Sequence, residues 1–167
     1  MPDNSKFNQF VRAINQHSTI ILVGFMGSGK TTLGKQLAQK LNYNFIDTDQ
    51  TIEELIGVDI PTLFQTKGEE YFRNLEHRLI ETIKVKNTVI ATGGGMPCFY
   101  DNMEQLKQIG ITVYLKYSPE ELFERLANDT YKRPLIANKS KEELYQYIEE
   151  TLKKREPYYL KAHRVYP

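Results

Sequence analysis

Thr19-Ile20-Ile21-Leu22-Val23 runs directly into Gly24-Phe25-Met26-Gly27-Ser28-Gly29-Lys30-Thr31, after which Leu33, Leu37 and Leu41 recur every four residues. A β-branched run ending in glycine reads as a buried strand, and the leucine spacing reads as a helix over 31–41. The stretch between them fits G-x-x-x-x-G-K-[ST], and its position between strand and helix gives that pattern its weight. Glycines let successive amides turn inward as a nest for phosphate oxygens, and the helix start adds its positive dipole end. Lys30 supplies a cation for the outer phosphates and Thr31 a hydroxyl for Mg²⁺; Gly27, Ser28, Gly29 and Thr32 complete the expected nucleotide-binding set.

Outward from this loop, short apolar strands alternate with amphipathic helices. Phe45-Ile46 forms a second strand running into Asp47-Thr48-Asp49, and Ile52, Leu55 and Ile56 mark a helix stopped by Gly57. After Gly68 a longer helix carries Phe72, Leu75, Leu79 and Ile83 on one stripe, and Thr88–Thr92 is a third strand ending in Gly93-Gly94-Gly95. Leu106 and Ile109 belong to a helix closed by Gly110, and Ile111–Leu115 is a fourth strand. Ser118-Pro119 with Glu121, and Ser140 with Glu143, are helix starts of the capping-box kind; the second opens a helix through Leu144, Ile148 and Leu152. The alternation predicts an α/β domain with a parallel sheet covered on both faces. Residues 1–17, polar with Phe7, Phe10, Val11 and Ile14 at helical spacing, read as an N-terminal extension, and 18–167 as a single domain.

The 167 residues are 40% hydrophobic and 26% charged, the values of a folded globular chain. With 22 Lys+Arg against 21 Asp+Glu the net charge is +1, which argues against broad electrostatic capture of nucleic acid or an anionic membrane. The single Cys98 excludes an internal disulfide; it reads as a small buried apolar residue, with a place near the acceptor pocket as the alternative. The strongest apolar run, Ile20–Val23, is far short of a membrane span and no export signal is visible, so a cytoplasmic monomer is expected.

Four classes of phosphate-loop protein compete. A GTPase switch would offer Asn-Lys-x-Asp, but Asn138-Lys139-Ser140 is followed by Lys141. A nucleic-acid motor would need a larger chain with a basic track. A non-catalytic nucleotide-binding regulator would not need the acidic and basic groups that remain. A small-molecule kinase must clamp the triphosphate, orient an acceptor hydroxyl, neutralise transferring charge and exclude water. Candidates exist for each task. Asp47 and Asp49 leave the second strand two residues apart and are expected to face opposite ways, one toward Mg²⁺ and one toward the acceptor, with an N-cap role for one as the alternative. Arg73 lies within helical reach of Glu69 and Glu76, the Gly93-Gly94-Gly95 turn suits close ligand approach to backbone, and Lys132-Arg133-Pro134 lies in an irregular stretch suited to a lid.

As a set, Gly-Phe-Met-Gly-Ser-Gly-Lys-Thr, Phe45-Ile46-Asp47-Thr48-Asp49, Gly68-Glu69 with Phe72-Arg73 and Glu76, Gly93-Gly94-Gly95, Arg133-Pro134-Leu135 and Arg155 followed by Tyr158 resemble the shikimate kinases over about residues 19–159. The resemblance implies ATP-dependent phosphorylation of the 3-hydroxyl of shikimate, in aromatic amino acid biosynthesis. It also implies a nucleoside-monophosphate-kinase-like fold with a five-stranded parallel sheet, a substrate-binding region at about 48–84 and a mobile lid at about 128–140. By position, Asp49 would orient or deprotonate the attacking hydroxyl. Arg73 and Arg155 would hold the carboxylate near the Gly94 and Gly95 backbone, and Glu76 would orient Arg73. Lys30 and Arg133 would stabilise the transferring phosphoryl, Thr31 would ligate Mg²⁺ directly and Asp47 through water, and Arg125 would meet the adenine. The spacing across Asn128–Lys132 is one residue longer than is usual before the lid Arg-Pro. Family members also continue through a last strand, an adenine-contacting loop and a terminal helix, so further sequence is expected beyond Arg164-Val165-Tyr166-Pro167. Another small-metabolite kinase of this fold, such as a gluconate kinase, is the nearest alternative.

Overall fold

The strand read from Thr19–Val23 is the middle of the sheet. In the computed structural model, which describes residues 4–128, 133 and 135–167, β1 (Thr19–Val23) is buried at all five positions. It pairs in parallel with β3 (Thr88–Ala91) on one side and β4 (Ile111–Leu115) on the other, with β2 (Asn44–Asp47) and β5 (Arg164–Tyr166) at the edges. Alternation along the strand sends Ile20 and Leu22 to one face and Ile21 and Val23 to the other, so each face owns a core. Continuous apolar runs are what a parallel sheet covered on both sides requires.

One face is covered by α2 (Lys30–Leu41), through Leu33 and Leu37, and by α1 (Asn4–Ile14). The stretch read as an extension therefore helps to build the core: Ile14 is fully enclosed, and the Phe10 ring lies 4.5 Å from that of Tyr166. The other face is covered by α5 (Glu69–Thr82), α6 (Asn102–Ile109), α7 (Pro119–Leu126) and α8 (Lys141–Tyr159), around Tyr114, Ile90, Leu106, Ile148 and Tyr159. The Ser118–Glu121 capping box forms with both of its bonds, and Ser140 caps α8 through the Glu143 amide.

Three local expectations need correction. The interval 60–67, for which the sequence pattern predicts no element, is the helix α4 (Ile60–Lys67), started by the Asp59 side chain on the Thr62 amide. With α3 (Thr48–Ile56) and α5 it closes a separate small core of Ile52, Leu63 and Phe72. The last strand, expected beyond this sequence, is formed by Arg164–Tyr166 itself, pairing Val113 with Arg164 and Leu115 with Tyr166. Finally, β2 ends at Asp47, so Asp49 stands in the first helical turn and not on a strand. The two carboxylates are separated by a strand-to-helix corner, and strand alternation plays no part. Of the expected lid, residues 129–132 and Pro134 lie outside the described residues, while Ile136 is anchored in the core.

Candidate active site

Ligands of parallel sheets sit beyond the carboxyl ends of the strands, and the loops after β1, β2 and β3 all leave from that edge. They enclose a cavity of about 500 Å³. Gly27, Gly29, Lys30, Thr31, Thr32, Asp47, Asp49, Arg73, Glu76, Gly94, Gly95, Arg125, Arg133 and Arg155 all line it. Ser28 does not; its side chain is buried beneath the loop, 3.4 Å from the Lys30 ammonium.

On the nucleotide side, Gly29 ends the loop at φ +85°, a backbone shape that a side chain resists, and hands the chain to α2. Lys30 is buried, and its ammonium donates to the Gly24 carbonyl at 2.7 Å and the Phe25 carbonyl at 2.9 Å. Burial pulls its pKa from 10.5 to about 7, with Asp49 pushing back and Arg133 adding to the fall. Thr31 Oγ1 donates to Asp47 Oδ2 at 2.8 Å, while Asp47 Oδ1 accepts from the Asp49 and Gln50 amides. Asp47 is thus N-cap of α3 and partner of Thr31 at once; its two expected roles are not exclusive. The Arg125 guanidinium stacks 4.2 Å from the Tyr117 ring centroid, beside Gly29.

The acceptor side is built from buried charge. Arg73, 5% exposed, donates to Glu76 Oε1 at 2.8 Å and to Glu69 Oε1 at 3.0 Å, with its guanidinium 4.4 Å from the Phe99 ring centroid. Although burial pulls the Arg73 pKa down, the Glu76 and Glu69 carboxylates more than offset this and hold it above its ordinary value. Glu76 is fully enclosed, and burial raises it to about 7 against the pull of Arg73. Asp49 is raised to about 6 by burial and by Asp47, with Lys30 and Arg73 opposing. Asp49 Oδ1, Glu76 Oε2 and Arg155 Nη1 are buried with no hydrogen-bond partner among the described residues. Orphaned buried charges are costly, and here all three border one cavity.

The three glycines explain the convergence. None has a positive φ, so space is what they provide. A Cβ on Gly93 would lie 2.6 Å from Asp49 Oδ1 and 2.9 Å from Glu76 Oε2; one on Gly95 would lie 2.5 Å from Arg73 Nη1. The Thr48 hydroxyl accepts the Gly93 amide at 2.9 Å and so fastens α3 to the turn. Sequence reasoning misses the apolar wall of Ile60, Pro61 and Phe64, carried on α4, and Glu53, whose Oε2 accepts the Ile60 amide at 2.9 Å. It also misses Tyr159: this residue, and not the half-exposed Tyr158, reaches the glycine turn.

The family model described as Shikimate kinase matches residues 26–166. The chain belongs to the shikimate kinase family. A shikimate kinase of Phocaeicola vulgatus is 47% identical over 148 residues, covering 88% of this chain and 85% of that protein. The crystal structure of the shikimate kinase of Bacteroides thetaiotaomicron is 43% identical, with a TM-score of 0.78 over 90% of this chain and 85% of that one. A shikimate kinase from Acinetobacter baumannii in complex with shikimate is 38% identical, with a TM-score of 0.81 over 94% of this chain and 87% of its own.

Proposed function

We propose that this chain transfers the γ-phosphoryl group of ATP to the 3-hydroxyl of shikimate, as a step of aromatic amino acid biosynthesis. The observation that carries the reading is the convergence of Arg73, Arg155 and Asp49 on one cavity with Lys30. Shikimate is a ring carboxylate bearing hydroxyls, so it needs guanidinium forks at one end and an acid acceptor at the other.

In this reading the inward amides of the loop and Lys30 grip the outer phosphates, and Arg133 faces the transferring group. Arg73, Arg155 and the Gly94 and Gly95 amides hold the carboxylate, while Phe64 and Pro61 bound the ring. Asp49 accepts the proton of the attacking hydroxyl; a pKa of about 6 suits a base working near neutrality. Glu76 keeps Arg73 in place. Thr31 and Asp47 fit Mg²⁺: they present hard oxygens 2.8 Å apart, and Mg²⁺ takes few protein ligands beside phosphate oxygens and water. Bound there, the ion would neutralise charge on the outer phosphates. Arg125 with Tyr117 offers a platform for the adenine, and 128–140 acts as the lid that excludes water.

A monomer of the cytoplasm without nucleic-acid or membrane partners accords with the net charge of +1 and with the absence, among the described residues, of any helix long and apolar enough to cross a membrane. A coupled ADP-release assay against shikimate, gluconate and nucleoside monophosphates tests the substrate. Turnover with shikimate alone is expected, and preference for gluconate would refute the reading. Asp49→Asn should keep ATP affinity nearly intact and cut turnover by about a hundredfold or more; loss of ATP affinity with turnover preserved would move Asp49 to the nucleotide site.

A further inference from the structure

The glycine turn has two shapes open to it. The Met96 amide donates to the Gly93 carbonyl at 3.1 Å, and Gly95 has φ −90° and ψ −14°, the values at the third position of a type I turn. Rotating the central Gly94–Gly95 peptide by about half a turn would give a type II turn, which requires a positive φ at that position. Glycine adopts either sign of φ without steric cost, so residues 94 and 95 leave the choice open.

The choice matters because a trans peptide points its carbonyl and its N–H in opposite directions. Neither the Gly94 nor the Gly95 amide finds an acceptor among the described residues, and both residues line the acceptor end of the cavity. On the other side of the turn, the Tyr159 hydroxyl donates to the Gly94 carbonyl at 2.5 Å.

We infer that Tyr159 is a positioning residue: its hydroxyl latches the Gly94–Gly95 peptide in the type I orientation and so aims the Gly95 N–H at the carboxylate of the acceptor. The inference rests on the shikimate reading of this cavity. Tyr159 is fixed well enough for the task. It is fully buried, its ring centroid lies 5.1 Å from that of Tyr114, and the Tyr114 hydroxyl is held by Glu156 Oε1 at 3.0 Å. Burial keeps the Tyr159 phenol protonated far above its ordinary range, so it remains a donor. Tyr159 also stands one helical turn after Arg155 on α8. Gly94 lies against that arginine, with its missing Cβ 3.7 Å from Nη1, and against the Met26 amide of the phosphate loop at 3.1 Å. One helix face thus presents both the carboxylate-facing guanidinium and the latch.

Tyr159→Phe removes the latch and keeps the ring. The KM for shikimate should rise about tenfold, as expected for losing one oriented hydrogen bond to a charged group, while kcat and the KM for ATP stay within about threefold. The Gly94 and Gly95 amide signals of the unliganded variant should shift or split in the nitrogen–proton spectrum. Tyr114→Phe, which trims the same aromatic pair without touching the turn, should leave the shikimate KM and both glycine signals unchanged. Unmoved glycine signals with an unchanged shikimate KM in Y159F, or equal KM increases in Y159F and Y114F, would overturn the latch. Should Y159F not fold, shikimate added to the parent enzyme must shift the Gly95 amide signal, and a stationary signal is equally fatal. Absence of shikimate turnover in the parent enzyme would instead defeat the substrate reading, leaving the glycine signals of unliganded Y159F to decide the latch.

Discussion

The nucleotide side and the acceptor side of the cavity are built on opposite plans. The first comes from one contiguous stretch, Gly24–Thr32, in which backbone amides and a single buried lysine do the holding. The second draws on four distant segments, Asp49, Arg73 with Glu76, Gly93–Gly95 and Arg155, and consists of buried ionised side chains with unmet hydrogen bonds. A nest of amides binds any phosphate chain. A pocket of prepositioned charge selects one acceptor, because each group left unpaired by a wrong ligand is a penalty. Generality is local in sequence here, and specificity is not.

If the contrast holds, removing Lys30 should give the largest kinetic loss. Lys30→Met is expected to lower turnover by about a hundredfold to a thousandfold, measured at saturating substrates, by the scale of losing one stabiliser of transition-state charge. Its stability should also change character. The folded pKa of about 7 lies below the unfolded 10.5, so the unfolded chain binds more protons between them and this group makes stability rise with pH across that window. Urea unfolding of K30M between pH 7 and 10 should lack that rise.

Arg73→Ala separates the two sides next. The shikimate KM should rise about tenfold to a hundredfold with the ATP KM unchanged, since charge-assisted bonds contribute roughly 1.5–3 kcal/mol. At pH 8.5 the variant should lose about 3 kcal/mol of stability, because a buried Glu76 is left without its partner. The double variant R73A/E76Q should recover most of the stability and none of the KM. A KM effect on ATP as large as that on shikimate would break the comparison.

A smaller effect sharpens it. Asp49 has a folded pKa of about 6, raised above 3.8, so its contribution to folding is full below the unfolded value and is lost as pH rises through 6. Asp49→Asn should therefore be more stable than the parent at pH 8, by on the order of 1 kcal/mol, while being nearly inactive. The smallest change belongs to a glycine outside both sides: Gly57→Ala, in open space at φ +80°, should cost about 1 kcal/mol through its backbone and leave all kinetic constants unchanged.

The same contrast explains what the sequence can reveal. Eight adjacent residues between a strand and a helix carry the phosphate loop, so its chemistry is legible from the sequence alone. Arg73 and Glu76 are legible too, because three residues along a helix is a fixed distance. Asp49 is identifiable as a site residue, but its setting is not, since nothing in Asp47-Thr48-Asp49 states where the strand stops and the Asp47 cap begins. Helix α4 escapes a reading by pattern because its eight residues bury only Leu63 and show no period. Strand β5 escapes it because, of its three residues, only Tyr166 faces inward. Tyr159 depends on a contact spanning 65 positions, which no local pattern encodes.

The central claim, that paired guanidiniums select a ring acid beside the phosphate loop, is tested most directly by the carboxylate itself. Steady-state ADP release should be compared for shikimate and its neutral carboxamide. The account predicts a drop in kcat/KM of about a hundredfold for the carboxamide, carried mainly by KM, from the loss of charge-assisted bonds to Arg73 and Arg155. Equal kcat/KM for the acid and the amide would contradict it.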